Sequence, residues 1–308
     1  MQKPAQILLD TDMLTDCDDA GALAMLHVLA DQGEAKILGV AVNGIDSHGL
    51  HGSVVSAINY HFGRPEIPVA MSPRGEEQTP VKASSYSSSI YENYPHDGLR
   101  DSERPNAVEL YHRLLSEAED QSVTIVSIGF LSNIADLLAM ESGPALVARK
   151  VKGITIMGGA YPSGNEYNFD FSGTGPTTQA ALEAWPKTVP ITFIGYELGE
   201  RVITGTDYQA APDSPMRRAY ELAYDSINRG RPSWDQVAVF HAVRGLHSNG
   251  CTWFNAIAGK NRISATGQNS WQADPSGPDA YLELAVSADE LASTIEQLMV
   301  TPPATLSL

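Results

Sequence analysis

The sequence predicts a single α/β domain, residues 1–308, with a mostly parallel sheet covered by helices on both faces. Short apolar runs rich in β-branched residues recur along the chain, and segments with helical periodicity lie between several of them. Strands and helices that alternate in this way are typical of a parallel sheet between two helix layers. No internal repeat and no linker-like segment divides the chain, which favours one domain over two.

The predicted elements follow in order along the chain. The strands share a short apolar composition: Ile7–Leu9, Lys36–Val42, Ile67–Met71, Val123–Ile128, Val151–Met157, Val189–Ile194 and Tyr281–Val286. The helices share an apolar stripe: Asp19–Asp31, Val54–Phe62, Ala107–Ala118, Leu131–Met140, Thr178–Trp185, Pro212–Asn228, one beginning near Trp234, and Ala288–Met299. Ser72–Arg104 is rich in Ser, Tyr, Pro and charge, with little periodicity, and we predict a long loop or lid there.

The composition excludes some classes of partner. The formal charge is −17 and no run of Lys or Arg occurs, whereas nucleic-acid binding depends on clustered basic residues. No stretch approaches the ~20 apolar residues of a membrane-spanning helix. We therefore expect a small neutral ligand, such as a sugar or a nucleoside, and neither a nucleic-acid partner nor a membrane.

Cysteine usage and the first residues bear on the compartment. Cys17 and Cys251 are too few for a disulfide framework and lack the spacing of zinc ligands, so we interpret both as packing residues. Met1–Gln6 leads directly into a strand without an apolar signal region, which favours the cytoplasm. If a signal peptide has been removed, a periplasmic or secreted protein would show the same sequence.

Polar or very small residues follow five of the predicted strands. They are Asp10-Thr11-Asp12, Asn43-Gly44, Gly129, Met157-Gly158-Gly159 and Gly195-Tyr196-Glu197. In parallel sheets, ligands bind beyond the carboxyl ends of the strands, where these segments would meet. We therefore predict a binding site along this edge of the sheet.

Five aspartates fall within ten positions at this predicted edge: Asp10, Asp12, Asp16, Asp18 and Asp19. An N-capped helix would account for one or two of them, but neighbouring carboxylates repel unless a cation neutralises them. An all-oxygen set selects a hard cation, and an irregular carboxylate-rich loop favours calcium over magnesium. The spacing does not match an EF-hand. A magnesium-dependent phosphotransferase resembling the haloacid dehalogenases is an alternative, although Leu14 stands where those enzymes usually have Thr or Val.

Six motifs in order resemble the inosine–uridine-preferring nucleoside hydrolases. They cover most of the chain: Asp10-Thr11-Asp12 with Asp18-Asp19-Ala20, Val42-Asn43, Ile128-Gly129-Phe130-Leu131-Ser132-Asn133, Met157-Gly158-Gly159, Asn165-Glu166-Tyr167-Asn168 and Trp234-Asp235. The aspartate-rich turn is two residues longer than in the best-known members and resembles a subgroup of the family. Met13-Leu14-Thr15 departs from both versions of the turn.

The resemblance implies a nucleoside hydrolase-like fold and a set of site residues. Calcium would be held by Asp12, Asp19, Asp235 and the backbone carbonyl of Ile128. Asp12 would also be the catalytic base that deprotonates a water whose pKa the cation lowers. The substrate-binding residues would be Asp18, Asn43, Met157, Glu166, Asn168 and Trp234.

Trp234 is the main departure, because it replaces a family His that protonates or polarises the leaving base. An indole cannot act as that acid, but it can stack on a flat leaving group or simply pack at the helix start. His96, Tyr161, Tyr167 and Tyr196 are candidate substitutes, and His241 is expected to be structural.

The leading interpretation is calcium-dependent hydrolysis of the N-glycosidic bond of ribonucleosides, in nucleoside metabolism. The resemblance also makes a homodimer or homotetramer plausible. One alternative keeps the calcium site but acts on another furanoside or sugar conjugate in carbohydrate metabolism. Another is a catalytically silent sugar-binding homologue, which would have no need of the Asp12 base.

Overall fold

The computed structural model describes residues 3–74, 83–170 and 173–304. Within these ranges the strands, β1 to β14 in chain order, are Ala5–Thr11, Ala35–Val42, Val69–Met71, Val123–Ser127, Val151–Met157, Ser163–Gly164, Ile191–Ile194, Ile203–Thr204, Arg231–Pro232, His247–Ser248, Cys251–Thr252, Phe254–Ile263, Asn269–Ala273 and Asp279–Leu284. Ten of them form the main sheet, in the order β3-β2-β1-β4-β5-β7-β14-β12-β13-β6. Two separate pairs, β10–β11 and β8–β9, are antiparallel.

Seven neighbouring strands of the main sheet, from β3 to β14, run parallel. Their carboxyl ends therefore lie along one edge, as the α/β prediction requires. The remaining strands, β12, β13 and β6, extend the sheet in antiparallel fashion. The predicted fold class, a single α/β domain with a mostly parallel sheet, is confirmed.

Helices cover both faces of the sheet. In the described ranges, α1 to α12 are Asp18–Asp31, His51–His61, Ser87–Asn93, Ala107–Glu117, Ser132–Ala139, Gly143–Lys150, Gly175–Ala184, Tyr196–Gly199, Pro215–Leu222, Ser226–Arg229, Trp234–Arg244 and Ala288–Val300. One apolar core includes side chains of α1, α2, α9, α11 and α12, and a second core on the opposite face includes side chains of α4 to α7. Among the described helices, none is long and apolar enough to cross a membrane.

Helix α1 is buried around nearly its whole circumference. Residues Asp18 to Leu29 are all buried, and the helix packs against both α11 and α12. A helix that is covered on all sides cannot shift without disturbing its neighbours. The carboxylates at its amino end are therefore carried on one of the most firmly held elements of the fold.

The prediction of one helix over Pro212–Asn228 is wrong. The structure has two helices, α9 and α10, separated by Tyr224 and Asp225, which both adopt left-handed backbone with φ of 53° and 59°. Non-glycine residues adopt this region rarely, and such strain is often found at functional sites. The break matters because it turns Tyr224 towards the edge of the sheet that carries the aspartates.

The predicted long loop or lid over Ser72–Arg104 is partly helical where the structure describes it. It contains α3 and a 3-10 turn, Asp101–Glu103. Tyr86 and Ile90 are fully buried and pack into the core next to α2, so this part is anchored to the body of the domain. Residues 75–82 lie outside the described residues.

The antiparallel extension of the sheet is absent from the sequence prediction. Strand β12 alternates irregularly between exposed and partly buried positions, and its sequence contains Asn, Lys and Arg. Strand β13 is equally polar and mostly exposed. Without a continuous apolar run or a clean alternation, neither segment resembles a strand in sequence.

Candidate functional site

The turn between β1 and α1 positions the aspartate cluster. The Tyr86 hydroxyl donates to the Asp16 carbonyl at 2.7 Å, which holds the turn from the side of α3. Asp19 accepts hydrogen bonds from the Thr11 hydroxyl and from the Met13 backbone N–H, the latter at 3.1 Å. Asp12 Oδ1 accepts from the Leu14 N–H at 3.3 Å. These bonds fix the orientation of both carboxylates before any ligand binds.

Two glycines allow the strand ends to approach the turn closely. A Cβ on Gly44 would lie 2.0 Å from the Asp12 carbonyl oxygen, and a Cβ on Gly129 would lie 2.6 Å from the Asp12 backbone nitrogen. Any side chain at either position would therefore push the backbone of Asp12 out of place. The two small residues after β2 and β4 set the position of Asp12.

Asp10 lies beneath the cluster and is fully buried. It accepts hydrogen bonds from the Tyr111 hydroxyl at 2.6 Å, from Asn133 Nδ2 at 3.1 Å and from Asn43 Nδ2. Burial raises the pKa of Asp10 to about 7, although these donors act in the opposite direction. Because its oxygens are occupied by the scaffold, Asp10 supports the site and does not line it.

Three carboxylates from two helix ends meet above Asp10. Asp18 and Asp19 lie in the first turn of α1, Asp235 lies in the first turn of α11, and each offers an oxygen within 4.8 Å of the other two. All three are buried. The positive ends of the two helix dipoles favour negative charge at this point, and an all-oxygen set of this kind fits a hard divalent cation.

The pKa values of these acids are raised. Burial is the main cause for all of them, and it brings the pKa of Asp19 to about 6. The pKa of Asp12 is raised by burial and then by Asp19, and that of Asp235 by burial and then by Asp18. Four buried, mutually repelling acids store unfavourable energy that a bound cation would relieve. The observed residues therefore fit a metal ion.

The aspartates form part of one cavity of about 250 Å³. This volume suits a small molecule rather than a polymer. Its lining divides into two parts that differ in burial. The buried part, which we call the floor, consists of Asp12, Leu14, Asp18, Asp19, Asp235, Ile128, Met157, Glu166 and Asn168. The partly exposed part, which we call the rim, consists of Thr15, Asp16, Tyr167, Tyr196, Tyr224, Arg231 and Trp234.

Glu166 and Asn168 form the side of the floor opposite the aspartates along the sheet. The Glu166 carboxylate accepts from the Asn168 N–H at 2.9 Å and from the Gly159 N–H at 3.1 Å. Burial raises the pKa of Glu166 to about 7. The Asn168 amide donates to the Met157 carbonyl at 3.3 Å and lies 3.5 Å from the Ile128 carbonyl. Side chains and carbonyls here form a polar wall of oxygen and amide groups that suits sugar hydroxyls.

The rim is aromatic and holds one arginine. Tyr196 and Trp234 stack with their ring centres 5.3 Å apart, and the Trp234 indole N–H donates to the Tyr196 carbonyl at 2.9 Å. The Arg231 guanidinium lies 4.6 Å from the centre of the Tyr224 ring and 5.3 Å from that of Trp234. It also forms a two-point ion pair with Asp16, with Nε to Oδ1 at 2.8 Å and Nε to Oδ2 at 3.0 Å.

The structure brings nearly all predicted site residues together. Those that line the cavity are Asp12, Asp18, Asp19, Ile128, Met157, Glu166, Asn168, Trp234 and Asp235. Their individual roles stay predictions. In the structure, the carboxylate of Asp18 lies close to those of Asp19 and Asp235. The sequence prediction instead assigned Asp18 to sugar binding and Asp12 to metal binding.

Asn43, which the sequence predicts to bind substrate, is not among the residues that line the cavity. Its amide donates to Asp10 and, at 2.8 Å, to the Phe130 carbonyl, and its side-chain oxygen accepts from the Phe130 N–H at 3.1 Å. The side chain is fully buried and both of its ends are occupied. Asn43 therefore ties the ends of β1, β2 and β4 together, and its predicted contact with a substrate stays a prediction.

The candidate substitutes for a leaving-group acid are divided between the cavity and other places. Tyr167 and Tyr196 lie on the rim. Tyr161 is buried and donates to the Gly158 carbonyl at 3.3 Å, and His96 contacts the Tyr91 carbonyl at 3.0 Å, so neither lines the cavity. His241 contacts the Thr155 hydroxyl at 3.1 Å and burial lowers its pKa to about 4, which suits the structural role predicted for it.

Sequence reasoning missed Tyr224 and Arg231. Tyr224 lies in the break between α9 and α10, which had been predicted as continuous helix, and Arg231 lies in the connection that follows. Neither belongs to a motif with a chemical meaning. A pattern of aromatic residues in connections cannot show which rings will meet, because their positions depend on how the connections cross the sheet edge.

A family profile settles the classification of the chain. Residues 7–280 match the family described as inosine-uridine preferring nucleoside hydrolase. The chain belongs to this family. The predicted resemblance is therefore confirmed over nearly the whole sequence.

Individual relatives agree with this assignment. The pyrimidine-specific ribonucleoside hydrolase RihB of Escherichia coli O1:K1 / APEC is 33% identical over 116 residues, which are 36% of this chain and 34% of that protein. The matches to the curated relatives span less than half of their length. Among solved structures, the plant nucleoside hydrolase PpNRh1 has a TM-score of 0.72 at 19% identity, covering 97% of this chain and 100% of that one. An inosine-guanosine nucleoside hydrolase has a TM-score of 0.69 at 17% identity, covering 96% and 98%. At these identities the two structures support the fold.

Proposed function

We propose that this nucleoside hydrolase family member hydrolyses the N-glycosidic bond of ribonucleosides to ribose and free base, with calcium as its cofactor. The observation that carries the proposal is the floor itself. Asp18, Asp19 and Asp235 lie within 4.8 Å of one another, and Asp12 and Glu166 line the same small cavity. Family membership supports the reaction, and the oxygen-only ligand set supports calcium.

Asp12, Asp19, Asp235 and the Ile128 carbonyl are the proposed holders of calcium, with Asp18 close enough to contribute. When bound, the cation neutralises the floor and lowers the pKa of water in its vicinity. The protein supplies the remaining chemistry through its own side chains. Burial and the neighbouring aspartates raise the pKa of Asp12 in the absence of a cation, and a bound cation would lower it and keep Asp12 in the carboxylate form that a base requires.

Asp12 is the proposed general base. It takes a proton from the water that attacks the anomeric carbon, as the new carbon–oxygen bond forms and the carbon–nitrogen bond breaks. Its Oδ1 is held by the Leu14 N–H, so the carboxylate is oriented before the substrate arrives. Glu166 and Asn168 would grip the ribose hydroxyls from the other side of the floor, and the surrounding carboxylates would stabilise an oxocarbenium-like transition state.

The rim is the proposed site of the base. Tyr167, Tyr196 and Tyr224 are 45%, 41% and 59% exposed and line the opening of the cavity. Half-exposed rings at the opening of a polar cavity suit stacking on a flat group that sits above the sugar. This separation into a sugar-binding floor and an aromatic rim matches the two halves of a nucleoside.

A second candidate is hydrolysis of another furanoside with the same floor. The observation that favours it is that none of the described residues that line the cavity is a histidine. Cytoplasmic location and an assembly of two or four copies stay predictions from the sequence. A protein that binds sugar without catalysis would not require the oriented carboxylate of Asp12.

The test is release of reducing sugar from a panel of purine nucleosides, pyrimidine nucleosides and simple furanosides, with calcium and after chelation. We expect ribose from nucleosides, lost on chelation and restored by calcium. Turnover of another furanoside alone would favour the second candidate. Release that is indifferent to chelation would contradict the calcium assignment, and no release from any compound would contradict both candidates.

A further inference from the structure

Several proton donors of the rim are hydrogen-bonded to the protein itself. The Trp234 indole N–H donates to the Tyr196 carbonyl, and the Tyr196 hydroxyl donates to Glu200 at 3.0 Å. The Arg231 guanidinium donates twice to Asp16. Arginine keeps its proton at all ordinary pH values, so Arg231 could polarise a leaving group but could not protonate it.

The histidines that the structure describes are elsewhere. None lines the cavity, and His241, which lies on the same helix as Trp234, is buried against Thr155. Imidazole is the side chain whose ordinary pKa suits proton transfer near neutral pH. Glu166 and the aspartates of the floor lie on the sugar side of the cavity, so the aglycone side has no evident acid.

The cavity carries far more negative than positive groups. Among the residues that the structure describes, the lining contains a single cation, Arg231, and six acidic residues: Asp12, Asp16, Asp18, Asp19, Glu166 and Asp235. A bound divalent ion would still leave acidic groups in excess. In a partly buried site such a field favours a positively charged ligand and opposes the build-up of negative charge on a leaving group.

Two aromatic rings of the rim form cation–π contacts with an arginine of the protein itself. The Arg231 guanidinium lies over the faces of Tyr224 and Trp234, and its charge is balanced by the paired Asp16 carboxylate. The remaining half-exposed rings, Tyr167 and Tyr196, are at the same opening. Electron-rich ring faces in an acidic cavity attract organic cations by the same interaction.

We propose that the preferred substrates are ribosides whose aromatic aglycone is positively charged, such as pyridinium ribosides and N7-alkylated purine ribosides. This inference rests on the proposed hydrolysis of N-glycosidic bonds and names the substrate class of the same site. A neutral base must either take a proton, which in the absence of a histidine in the described lining has to come from solvent, or leave as an anion, which the acidic cavity opposes. A cationic aglycone takes the electron pair of the broken carbon–nitrogen bond and leaves as a neutral molecule.

The reaction balances without an acid on the aglycone side. Water supplies the hydroxyl that bonds to the anomeric carbon, and its second proton passes to Asp12 and then to solvent. One riboside cation and one water therefore give ribose, one neutral aromatic base and one proton. No oxidant, reductant or further co-reactant is needed.

The experiment compares kcat/KM for guanosine with that for 7-methylguanosine, and for uridine with that for nicotinamide riboside, in the presence of calcium. General acid catalysis contributes typically ~10²–10⁴-fold, so we expect cationic ribosides to be preferred by about 100-fold or more. The preference for 7-methylguanosine should shrink as the pH falls, because solvent then protonates guanosine itself. A ratio near one at neutral pH would overturn the inference and leave the proposed function intact, whereas no hydrolysis of any riboside would contradict the proposed function.

Three controls separate charge from other causes. 4-Nitrophenyl riboside is neutral and its leaving group departs without protonation, so turnover equal to that of nicotinamide riboside would overturn the role of charge. Tyr167→Phe and Tyr224→Phe remove two further rim hydroxyls, of which that of Tyr224 donates to the Thr15 hydroxyl at 3.3 Å. If either variant loses guanosine hydrolysis while keeping that of 7-methylguanosine, the rim does contain an acid and the inference fails.

A matched pair of charge variants tests the field directly. Asp16→Asn removes the carboxylate that balances Arg231, and we expect the preference for the cationic riboside to fall by about 10-fold. Asp31 forms a comparable ion pair with Arg64 at the opposite end of α1. We expect Asp31→Asn to leave the preference for the cationic riboside unchanged. An unchanged preference in Asp16→Asn would show that the acidic rim does not select the substrate.

Discussion

The floor and the rim of the cavity differ in burial, in chemistry and in the elements that carry them. The floor consists of buried carboxylates, carbonyls and an amide, on strand ends and on the first turns of α1 and α11. The rim consists of partly exposed rings and an arginine, and it includes Tyr224 on strained backbone between two helices and Arg231 in the two-residue strand β9, although Trp234 shares α11 with Asp235. Groups that must be held against mutual repulsion need a rigid support, whereas rings that stack on a ligand tolerate a softer one.

The largest expected effect comes from breaking the floor at Asp12. Asp12→Asn keeps the size of the side chain and the bond from Leu14 but removes the proposed base, so we expect kcat to fall by about 10³-fold. At a calcium concentration that saturates the variant, which loses one charged ligand of the proposed site, KM should change little, because the remaining ribose contacts are intact. The measurement is steady-state release of ribose with calcium, with Asp31→Asn as the control of equal chemistry outside the cavity. A variant that turns over at the parental rate would remove Asp12 from the mechanism.

Asp235→Asn separates the cation from the base. We expect calcium affinity to fall by about 100-fold, because one charged ligand of the proposed site is lost. Without calcium the same variant should be more stable than the parent by about 1 kcal/mol, since Asp18 and Asp19 then face one repelling charge fewer. Calcium titration by calorimetry and urea unfolding of the metal-free protein give the two values. If Asp235→Asn is less stable than the parent in the absence of calcium, repulsion between the floor carboxylates contributes little to the stability of the metal-free protein.

The floor could be predicted from the sequence and the rim only in part, for physical reasons. Asp12, Asp18, Asp19 and Asp235 follow strand ends or begin helices, and those positions are set by local patterns. Tyr224 and Arg231 depend on a break between two helices that helical periodicity did not reveal.

Asn43 shows a different limit of sequence reasoning. The sequence predicts its position at the edge of the sheet but not its protein contacts, because the direction of a polar side chain depends on partners such as Asp10 and Phe130. The antiparallel strands β12 and β13 could not be recognised for a third reason. Their stability comes from pairing with β14 and with each other, which an irregular polar sequence does not signal.

Helix α1 also carries a titrating group outside both regions, and this group must be separated from the floor. His27 is fully buried, stacked on Phe62 with ring centres 4.6 Å apart and in contact with Asn59 Oδ1 at 2.9 Å. Burial lowers its pKa to about 3. Below pH 6.5 the unfolded chain therefore binds more protons at this position than the folded one does. The stability that His27 contributes is present above pH 6.5 and is lost as the pH falls.

His27→Gln tests this acid sensitivity. Between pH 7 and pH 5, protonation linked to His27 should lower the free energy of unfolding of the parent by about 2 kcal/mol. The glutamine variant should not show this part of the decrease. Glutamine can still bond to Asn59 and does not titrate. Urea unfolding at the two pH values gives the difference. Equal losses in parent and variant would place the acid sensitivity in the floor carboxylates or elsewhere.

The smallest expected effect is at the rim, where Tyr224→Asn removes an exposed ring. Asparagine tolerates the left-handed backbone of this position, so the break between α9 and α10 should persist. We expect KM for a riboside to rise by about 5-fold with kcat almost unchanged, because stacking on the aglycone contributes mainly to binding. Leu222→Asn is the control, since Leu222 is also exposed near the end of α9 but does not line the cavity. A fall in kcat as large as that of Asp12→Asn would mean that the rim takes part in the chemical step and that the division between floor and rim does not hold.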